Sequence, residues 1–281
     1  MGRRVTRRAM LAALALLGAI GTAVAQPLPR IASTNVCTDQ LLITLADPNQ
    51  IIGLSPYSRD PAQSYAAAEA QRYRLLSGGA EDILMLKPDA VVSGQYDKRA
   101  TRELLRQQGV RVVEFDVLPQ SLGAIKQQIR AMAELVGHPD RAAAAIARLD
   151  AAIGRARAAA QRPIRVLPLW RRGWVSGAGS LISLLFAETG LINAAADLGI
   201  ASGGFASLEA IIAARPDILL VSDGGDFAED EGTALLLHPA LEQFYPPSKR
   251  IVLPERLTVC GGVMLADALD LLVAELARIE R

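Results

Sequence analysis

Two similar stretches of sequence indicate how this chain folds. Residues 81–94 are EDILMLKPDAVVSG, and residues 209–222, 128 positions later, are EAIIAARPDILLVS. The shared positions are Glu81 and Glu209, Ile83 and Ile211, Lys87 and Arg215, Pro88 and Pro216, and Asp89 and Asp217. Each copy predicts a short helix that a proline ends, because proline lacks an N–H and disfavours helical geometry in the residue before it. The apolar run that follows is typical of a covered parallel strand, so we expect two similar lobes.

Strand and helix patterns alternate on both sides of a long helical stretch. This alternation predicts an α/β fold of two lobes, each a parallel sheet flanked by helices, at residues 28–118 and 163–281. Residues 119–162 form the connecting segment, with a helical stripe over 121–136 and a break at 137–139. We interpret 121–136 as the one long helix that joins the lobes. Ligands of such sheets lie beyond the carboxyl ends of the strands, which predicts a cleft between the lobes.

The first 25 residues have the pattern of a signal peptide. Four arginines precede Met10, Leu11–Ile20 is apolar, and small residues surround a cleavage site after Ala25. The run from Thr6 to Leu11 also matches a twin-arginine signal, so the secretory and twin-arginine routes both stay open. We expect the mature chain in the periplasm. A net charge of +1 without long charged runs gives no indication of a nucleic-acid partner.

The sequence contains no recognisable catalytic constellation. It has no phosphate-binding loop, no dinucleotide glycine pattern, no metalloprotease motif and no nucleophile elbow. Its two histidines, His138 and His238, each precede a proline, which favours a turn position over a ligand or a base. We therefore expect a binding protein and no enzyme. A secreted hydrolase is the alternative, and it would require a nucleophile with an oriented base.

The loops beyond the strands contain better candidates for ligand binding. The chain has only five phenylalanines, two tryptophans and five tyrosines, yet both tryptophans, Trp170 and Trp174, bracket Arg171 and Arg172 in one loop. Aromatic faces beside guanidinium groups suit a large ring-bearing ligand with negative groups. Alternatively, the tryptophans are core residues and the arginines are merely solvated. The other candidates are Cys37, Tyr57, Arg59, Tyr96, Phe205, Arg256 and Cys260.

Cys37 and Cys260 are the only cysteines, and they lie 223 residues apart. In an exported protein such a pair is most often a disulfide, which here would tie the two lobes together. Free or packed thiols and ligands to a bound metal are the other two interpretations. The last of these supports an alternative function, a metal-binding chaperone that uses Cys37 and Cys260.

Four features carry a resemblance to a known family: the opening strand and helix at 30–45, the loop at 55–58, the doubled unit and the long middle helix. They resemble the periplasmic binding proteins that serve ABC importers of ferric siderophores, haem and cobalamin, over nearly the whole mature chain. The resemblance implies two rigid lobes bridged by a helix, with the ligand between them and no intrinsic cofactor. It also implies a monomer that delivers its ligand to a permease dimer with ATPase subunits.

The resemblance assigns roles to individual residues. One surface glutamate per lobe docks on the permease, and the matching positions are Glu81 and Glu209. Both also suit the first turn of a helix, where an acid interacts favourably with the helix dipole. In cobalamin-binding members Tyr57 matches a tyrosine that contacts the corrin, whereas Gly94 stands where an aromatic residue is expected, and Tyr96 follows two positions later.

Phe205 is similarly offset from an expected tryptophan, a departure that argues against cobalamin itself. Arg59, Arg171 and Arg172 suit an anionic ferric siderophore or haem propionates. The expected ligand is thus an iron chelate, haem or a corrinoid.

Overall fold

The first lobe is a four-stranded parallel sheet with helices on its faces. The computed structural model describes residues 27–159, 163–222, 232 and 234–279, so the predicted signal peptide lies outside the described residues. The strands run in the order β2-β1-β3-β4. The elements are β1 (Ile31–Ser33), α1 (Val36–Leu45), β2 (Ile51–Gly53), α2 (Ala67–Ala70), α3 (Ala80–Met85), β3 (Ala90–Gly94), α4 (Arg99–Gln107) and β4 (Arg111–Phe115).

The second lobe repeats this arrangement. Two helices, α5 (Leu122–Val136) and α6 (Pro139–Ala159), lie between the two sheets in the sequence. The elements of the second lobe are β5 (Ile164–Pro168), β6 (Trp174–Ser176), α7 (Leu181–Glu188), β7 (Leu191–Asn193), β8 (Gly203–Phe205), α8 (Leu208–Ala214), β9 (Ile218–Val221), α9 (Pro239–Phe244), β10 (Arg250–Val252) and α10 (Leu265–Ile279). The parallel order β7-β5-β9-β10 matches β2-β1-β3-β4 strand for strand. The two copies of the repeated stretch therefore occupy equivalent places, α3-β3 and α8-β9.

The corner of each repeat is built in the same way. Both strands after the corner are fully buried, as expected for strands covered on two faces. Asp89 Oδ2 accepts a hydrogen bond from the backbone N–H of Arg30 at 2.7 Å, and Asp217 Oδ2 accepts one from Arg165 N–H at 2.8 Å. The aspartate thus fastens the start of one strand to the start of its neighbour.

The connecting helix is α6 and not the stretch at 121–136, so that interpretation was wrong. The helix over 122–136, α5, packs against α1 of the first lobe. Near the beginning of α6, Arg141 donates to the carbonyl of Leu45 and to Asp47, both in the first lobe. Near its end, Arg157 pairs with Glu188 of the second lobe, at 2.5 Å. A 21-residue helix has the length to reach both lobes, whereas α5 ends at Gly137, in the left-handed conformation.

One hydrophobic cluster runs through both lobes. It includes Ile31 and Val92 of the first sheet and Val166 and Leu220 of the second, joined by buried residues of α5, α6 and α10. The hydroxyl of Tyr65, in the first lobe, also donates to Asp267 of α10 at 2.5 Å. Among the described residues, no helix combines the length and the apolar character that a bilayer span requires.

Candidate ligand cleft

A cleft of about 740 Å³ opens between the lobes, a size within the range of small-molecule sites. One wall is the segment that leaves β4, and the opposite wall belongs to the second lobe. The lining residues are Val117, Leu118, Pro119 and Gln120 on the first wall, and Trp170, Arg171, Trp174, Ser176, Gly179, Ser180, Leu181, Ile182, Ser202, Glu255, Thr258 and Val259 on the other. The cleft therefore collects segments from between positions 117 and 259 of the sequence.

An antiparallel pair of short strands presents two aromatic side chains beside the cleft. β6 pairs with β8 so that Trp174 lies opposite Phe205, with ring centroids 5.0 Å apart in an edge-to-face arrangement. The two side chains are 40% and 69% exposed, which leaves their faces available to a ligand. Gly203 lets the indole of Trp174 pack closely on β8, because a Cβ at this position would lie 2.6 Å from the ring. Phe205 was expected in a loop, and it is instead the last residue of β8, which corrects that expectation.

Trp170 is partly a core residue and partly a cleft residue. Its ring packs against the large hydrophobic cluster, and its Nε1–H donates to the hydroxyl of Ser176 at 2.8 Å. Both tryptophans line the cleft. Each interpretation of this pair therefore applies to one tryptophan: Trp170 is held by the core, whereas Trp174 is exposed beside the cleft.

The predicted arginines have different surroundings. Arg171 lines the cleft, and Arg256 is half-buried next to Glu255, which lines it as well. Arg172 is exposed, has a left-handed backbone (φ 58°) and is not among the lining residues. Its backbone N–H donates to the carbonyl of Gly232 at 2.7 Å, so its contribution is to the turn between β5 and β6.

Arg59 stabilises a loop, which corrects its assignment to the ligand. Its guanidinium donates to the carbonyls of Tyr73 at 2.5 Å, Gln71 at 3.2 Å and Ala70 at 3.4 Å. Cationic side chains near a helix end commonly satisfy carbonyls in this way. The arginine thereby fixes the chain just beyond α2.

A second cavity of about 300 Å³ lies in the first lobe, at the carboxyl ends of β1 and β3, and we call it the side cavity. Tyr57 and Tyr96 stand at it, 56% and 71% exposed. The full lining is Thr34, Pro56, Tyr57, Ser77, Gly78, Val91, Ser93, Tyr96, Asp97, Lys98, Thr101, Arg102 and Leu105. The structure thus separates the predicted aromatic residues into two groups, tyrosines on the first lobe and tryptophans with Phe205 on the second.

A buried acid supports the loop that carries Tyr57. Asp39 of α1 accepts hydrogen bonds from the backbone N–H of Ser55 at 3.2 Å and from its hydroxyl at 2.5 Å. Burial raises the pKa of Asp39 to about 7, even though hydrogen bonds from Ser33 and Ser55 act in the opposite direction. The carboxyl group therefore titrates near neutral pH at the base of this loop.

Cys37 and Cys260 form a disulfide, with Cα atoms 5.3 Å apart. Cys37 lies in the first turn of α1, and Cys260 directly follows Val259 of the cleft wall. The bond leaves neither sulfur as a thiolate, which removes the ligands that a metal chaperone would need. Among the described residues, no cluster of three or more potential metal ligands is found either.

Residues 31–246 match the family model described as periplasmic binding protein. The chain belongs to the periplasmic binding protein family. Members of this family bind ligands and do not convert them, and the family is periplasmic. No curated protein matches this chain by sequence.

Several solved structures resemble this periplasmic binding protein. The apo form of the periplasmic heme-binding protein RhuT from Roseiflexus sp. RS-1 is 28% identical, with a TM-score of 0.72 over 90% of this chain and 100% of that chain. A periplasmic heme binding protein from Pseudomonas aeruginosa is 23% identical, with a TM-score of 0.69 over 88% of this chain and 92% of that chain. The periplasmic vitamin B12 binding protein BtuF of Vibrio cholerae is 19% identical, with a TM-score of 0.66 over 91% of this chain and 99% of that chain.

Both glutamates of the repeat are exposed on this binding protein. Glu81 lies in the first turn of α3 and Glu209 in the first turn of α8, so they occupy equivalent places on the two lobes. The pKa of Glu209 is lowered because its own backbone N–H and the Ser207 hydroxyl donate to the carboxylate.

Sequence reasoning missed several residues around the two cavities. The wall at 117–120 gives no signal in the sequence beyond its place after β4. Lys98 and Arg102 line the side cavity, and no pattern in the sequence distinguishes them from other basic residues at the surface of a helix. Asp39 gave no signal either, because an acid in the first turn of a helix, where it lies, is a common position.

Proposed function

We propose that this chain is the substrate-binding component of an ABC importer and that it carries ferric haem between its lobes. The observation that supports the ligand class best is the exposed aromatic surface on both lobes, Tyr57 and Tyr96 on one and Trp174 with Phe205 on the other. A flat conjugated ring stacks on such faces, and Arg171 in the cleft supplies a cation for its acidic substituents.

The available metal ligands support an iron centre. Ferric iron is a hard ion for which a tyrosine phenolate is a suitable axial ligand. Tyr57 and Tyr96 are exposed phenols of the first lobe, at the side cavity. The histidines are used elsewhere: His138 pairs with Asp47 at 3.1 Å, and Nδ1 of His238 caps α9 at 3.1 Å. We therefore propose coordination of the carried iron by Tyr57 or Tyr96.

The partner that we propose is a two-fold permease with its ATPase subunits, bound through Glu81 and Glu209. Two exposed carboxylates at equivalent places on two lobes suit a partner that presents a cationic pocket on each of two subunits. The single disulfide-linked core suits a monomer that docks as one body. We also propose that the chain is exported to the periplasm and cleaved after Ala25. The periplasm is an oxidising compartment, in which a disulfide forms and persists.

The test is a titration of the purified mature protein with hemin, cyanocobalamin and a panel of ferric siderophores. Both tryptophans line the cleft, so a bound chromophore quenches their fluorescence. We expect saturable quenching by hemin together with an absorption spectrum typical of phenolate-bound ferric haem. Tyr57→Phe or Tyr96→Phe should change that spectrum, whereas Tyr73→Phe, at a buried site outside both cavities, should not. If only cyanocobalamin or only a siderophore quenches saturably, the carried ligand is that compound and not haem. If no compound quenches the fluorescence, the proposal is overturned.

A further inference from the structure

Asp39 is a buried acid that has no cationic partner. It is fully buried in α1, and the groups that hydrogen-bond to it belong to Ser33 and Ser55. In the described part of the chain, no arginine, lysine or histidine pairs with its carboxyl group. An ionised carboxylate without a cation is costly in a protein interior, so such a group tends to keep its proton. The surroundings of Asp39 therefore favour the neutral acid, in agreement with its raised pKa.

The described elements that pack against this acid supply no compensating charge. Its neighbour on β1 is Ser33, and beyond β3 the carboxylate of Asp97 disfavours its ionisation further. In the loop after β2, Arg59 and Asp60 form hydrogen bonds elsewhere, the first with carbonyls just beyond α2 and the second with residues 62–63. The buried side chains of α5, which packs on α1, are Ile125, Ile129, Met132, Ala133 and Val136, all apolar.

Asp39 holds the first residue of the turn that carries Tyr57. Its Oδ1 accepts a hydrogen bond from the backbone N–H of Ser55 at 3.2 Å, and its Oδ2 accepts one from the Ser55 hydroxyl at 2.5 Å. The carbonyl of Ser55 accepts in turn from the hydroxyl of Ser58 at 2.9 Å and from its N–H at 3.2 Å. Both serines are fully buried, while Tyr57 between them is 56% exposed at the side cavity. The placement of Tyr57 therefore depends on a turn that Asp39 fixes from inside.

Loss of the proton from Asp39 opposes this arrangement. The hydrogen bonds from Ser55 favour the charged form, but the burial of the carboxyl group outweighs them. If the turn moves away from α1, water reaches the carboxyl group and its pKa returns towards the ordinary value of 3.8. The ordered turn thus has the higher pKa, so its stabilisation by the proton is complete below about pH 4 and is lost as the pH rises towards about 7.

We propose that Asp39 is a positioning residue for Tyr57, and that the proton on its carboxyl group keeps the turn at 55–58 in its ligand-binding position. A ligand that contacts Tyr57 is then held more tightly while Asp39 is neutral, and it is released more readily as Asp39 ionises. The turn that carries Tyr96 provides an internal comparison, because it is fastened by Asp97, a half-buried acid that accepts four hydrogen bonds. The proton-dependent order of the turn at 55–58 is a property of the chain, whereas its effect on a ligand rests on the proposed function.

The first experiment is a pH titration of the ligand-free mature protein, followed by ¹⁵N–¹H NMR from about pH 5.5 to about pH 8.5. The proteins are the wild type, Asp39→Asn, which resembles the neutral acid, and Asp60→Asn. Asp60→Asn is the matched control, because Asp60 lies in the same loop and bonds to residues 62–63. We expect the amide signal of Ser55, whose N–H donates to Asp39, to shift with a midpoint near pH 7 in the wild type and the control. In Asp39→Asn the same signal should stay constant.

Hydrogen exchange of the Ser55 and Ser58 amides measures the order of the turn. A comparison of the wild type with Asp39→Asn at each pH cancels the intrinsic pH dependence of exchange. We expect equal rates at about pH 5.5, and exchange about tenfold or more faster in the wild type at about pH 8.5. The amides of Gly94 and Asp97, in the turn that carries Tyr96, should exchange equally in both proteins.

Three results would overturn the proposal. The first is a Ser55 signal that does not shift in the wild type, a result that does not depend on the folding of any variant. The second is the same shift in Asp39→Asn, which would assign the titration to another group. The third is an exchange ratio between the wild type and Asp39→Asn that is the same at both pH values.

The second experiment connects the turn to the ligand. Hemin affinity is measured by absorbance at both pH values for the wild type and Asp39→Asn, so that the titration of hemin itself cancels. We expect equal affinity at about pH 5.5 and several-fold weaker binding by the wild type at about pH 8.5. In a Tyr57→Ala background this difference should disappear, because no phenol side chain is left to be positioned.

An affinity ratio that does not change with pH would contradict the positioning role of Asp39. If hemin binds to none of these proteins while the Ser55 signal and the exchange rates follow the proton, the haem proposal fails and the proton-dependent turn stands.

Discussion

Trp174 is the residue on which the cleft depends most for stacking. It is held edge-to-face by Phe205 and is still 40% exposed, whereas Trp170 is fixed by the core and by Ser176. A pre-positioned aromatic face binds a flat ligand with little loss of side-chain entropy.

We expect Trp174→Ala to weaken hemin binding about tenfold, or ~1.4 kcal/mol, because the stacking surface is lost. Trp174→Phe should lose less, since a ring remains. The measurement is a hemin titration followed by absorbance, which does not depend on the substituted fluorophore. Phe244→Ala removes an exposed ring on α9, away from the cleft, and serves as the control. Equal losses in the Trp174→Ala and Phe244→Ala variants would contradict the assignment.

Asp39 makes stability depend on pH in a defined direction. Its folded-state pKa of about 7 lies above the ordinary value of 3.8, so the folded protein holds a proton that the unfolded chain releases between these values. The stability that this proton provides is complete below about pH 4 and is lost as the pH rises towards 7.

Asparagine at position 39 resembles the protonated acid and does not titrate. We expect Asp39→Asn to be more stable than the wild type at pH 8, by a margin that shrinks steadily towards pH 5. Urea denaturation of both proteins across this range measures the difference, in which the other titratable groups cancel. Parallel stability curves for the two proteins would show that Asp39 keeps an ordinary pKa.

At the scale of elements, the repeated unit ends its helix with a basic residue in the left-handed conformation. Lys87 has φ 49° and Arg215 has φ 47°, each immediately before the proline. A side chain with a Cβ is disfavoured there by roughly 1 kcal/mol, and glycine avoids this cost. The doubled geometry shows that the corner, and not only the proline, was retained in both lobes.

Lys87→Gly should therefore be more stable than Lys87→Ala by about 0.5–1 kcal/mol, the reverse of the order in a helix interior. Thermal or urea denaturation of the two variants gives the comparison, and both remove the same exposed lysine side chain. The pair Arg215→Gly and Arg215→Ala should repeat the result in the second lobe. If alanine is the more stable residue at both positions, the left-handed corner is absent in solution.

At the scale of the whole molecule, the disulfide links the first helix of one lobe to the last loop of the other. It closes a chain separation of 223 residues, so its loss releases a large unfolded-state entropy. It also lies beside the cleft wall, where it limits how far the lobes can separate.

We expect Cys37→Ser with Cys260→Ser to lower the free energy of unfolding by about 2–4 kcal/mol. The radius of gyration of the ligand-free variant, from small-angle X-ray scattering, should exceed that of the wild type. Reductant should reproduce both effects in the wild type and have no effect on the double variant. An unchanged radius with lowered stability would restrict the disulfide to a stabilising role.

Docking is also a property of the whole molecule, because it uses one carboxylate from each lobe. The variant Glu81→Ala with Glu209→Ala should keep its hemin affinity and lose transport in reconstituted vesicles, since the charge complementarity is gone. Glu103→Ala with Glu242→Ala removes one acid per lobe elsewhere and provides the control. Full uptake with the Glu81 and Glu209 variant would exclude these residues as the docking contacts.

Local patterns in the sequence were sufficient to predict the main helices and strands and their duplication. Prolines and apolar runs act on their immediate neighbours, so the helical stripe over 121–136 and the break at 137–139 were predicted correctly from local patterns. The fixed spacing of the repeated unit was sufficient to predict two equivalent sheets. These features need no knowledge of distant contacts.

The contacts between distant elements and side chains became known from the three-dimensional structure. Cys37 is bonded to Cys260, and the Arg59 guanidinium donates to backbone carbonyls. The helix between the lobes is α6, and the tyrosines and tryptophans lie in separate cavities. The reason is physical: a cap or a corner is stabilised within a few residues, whereas a partner across a cleft is set by the packing of the whole chain, which a local pattern does not encode.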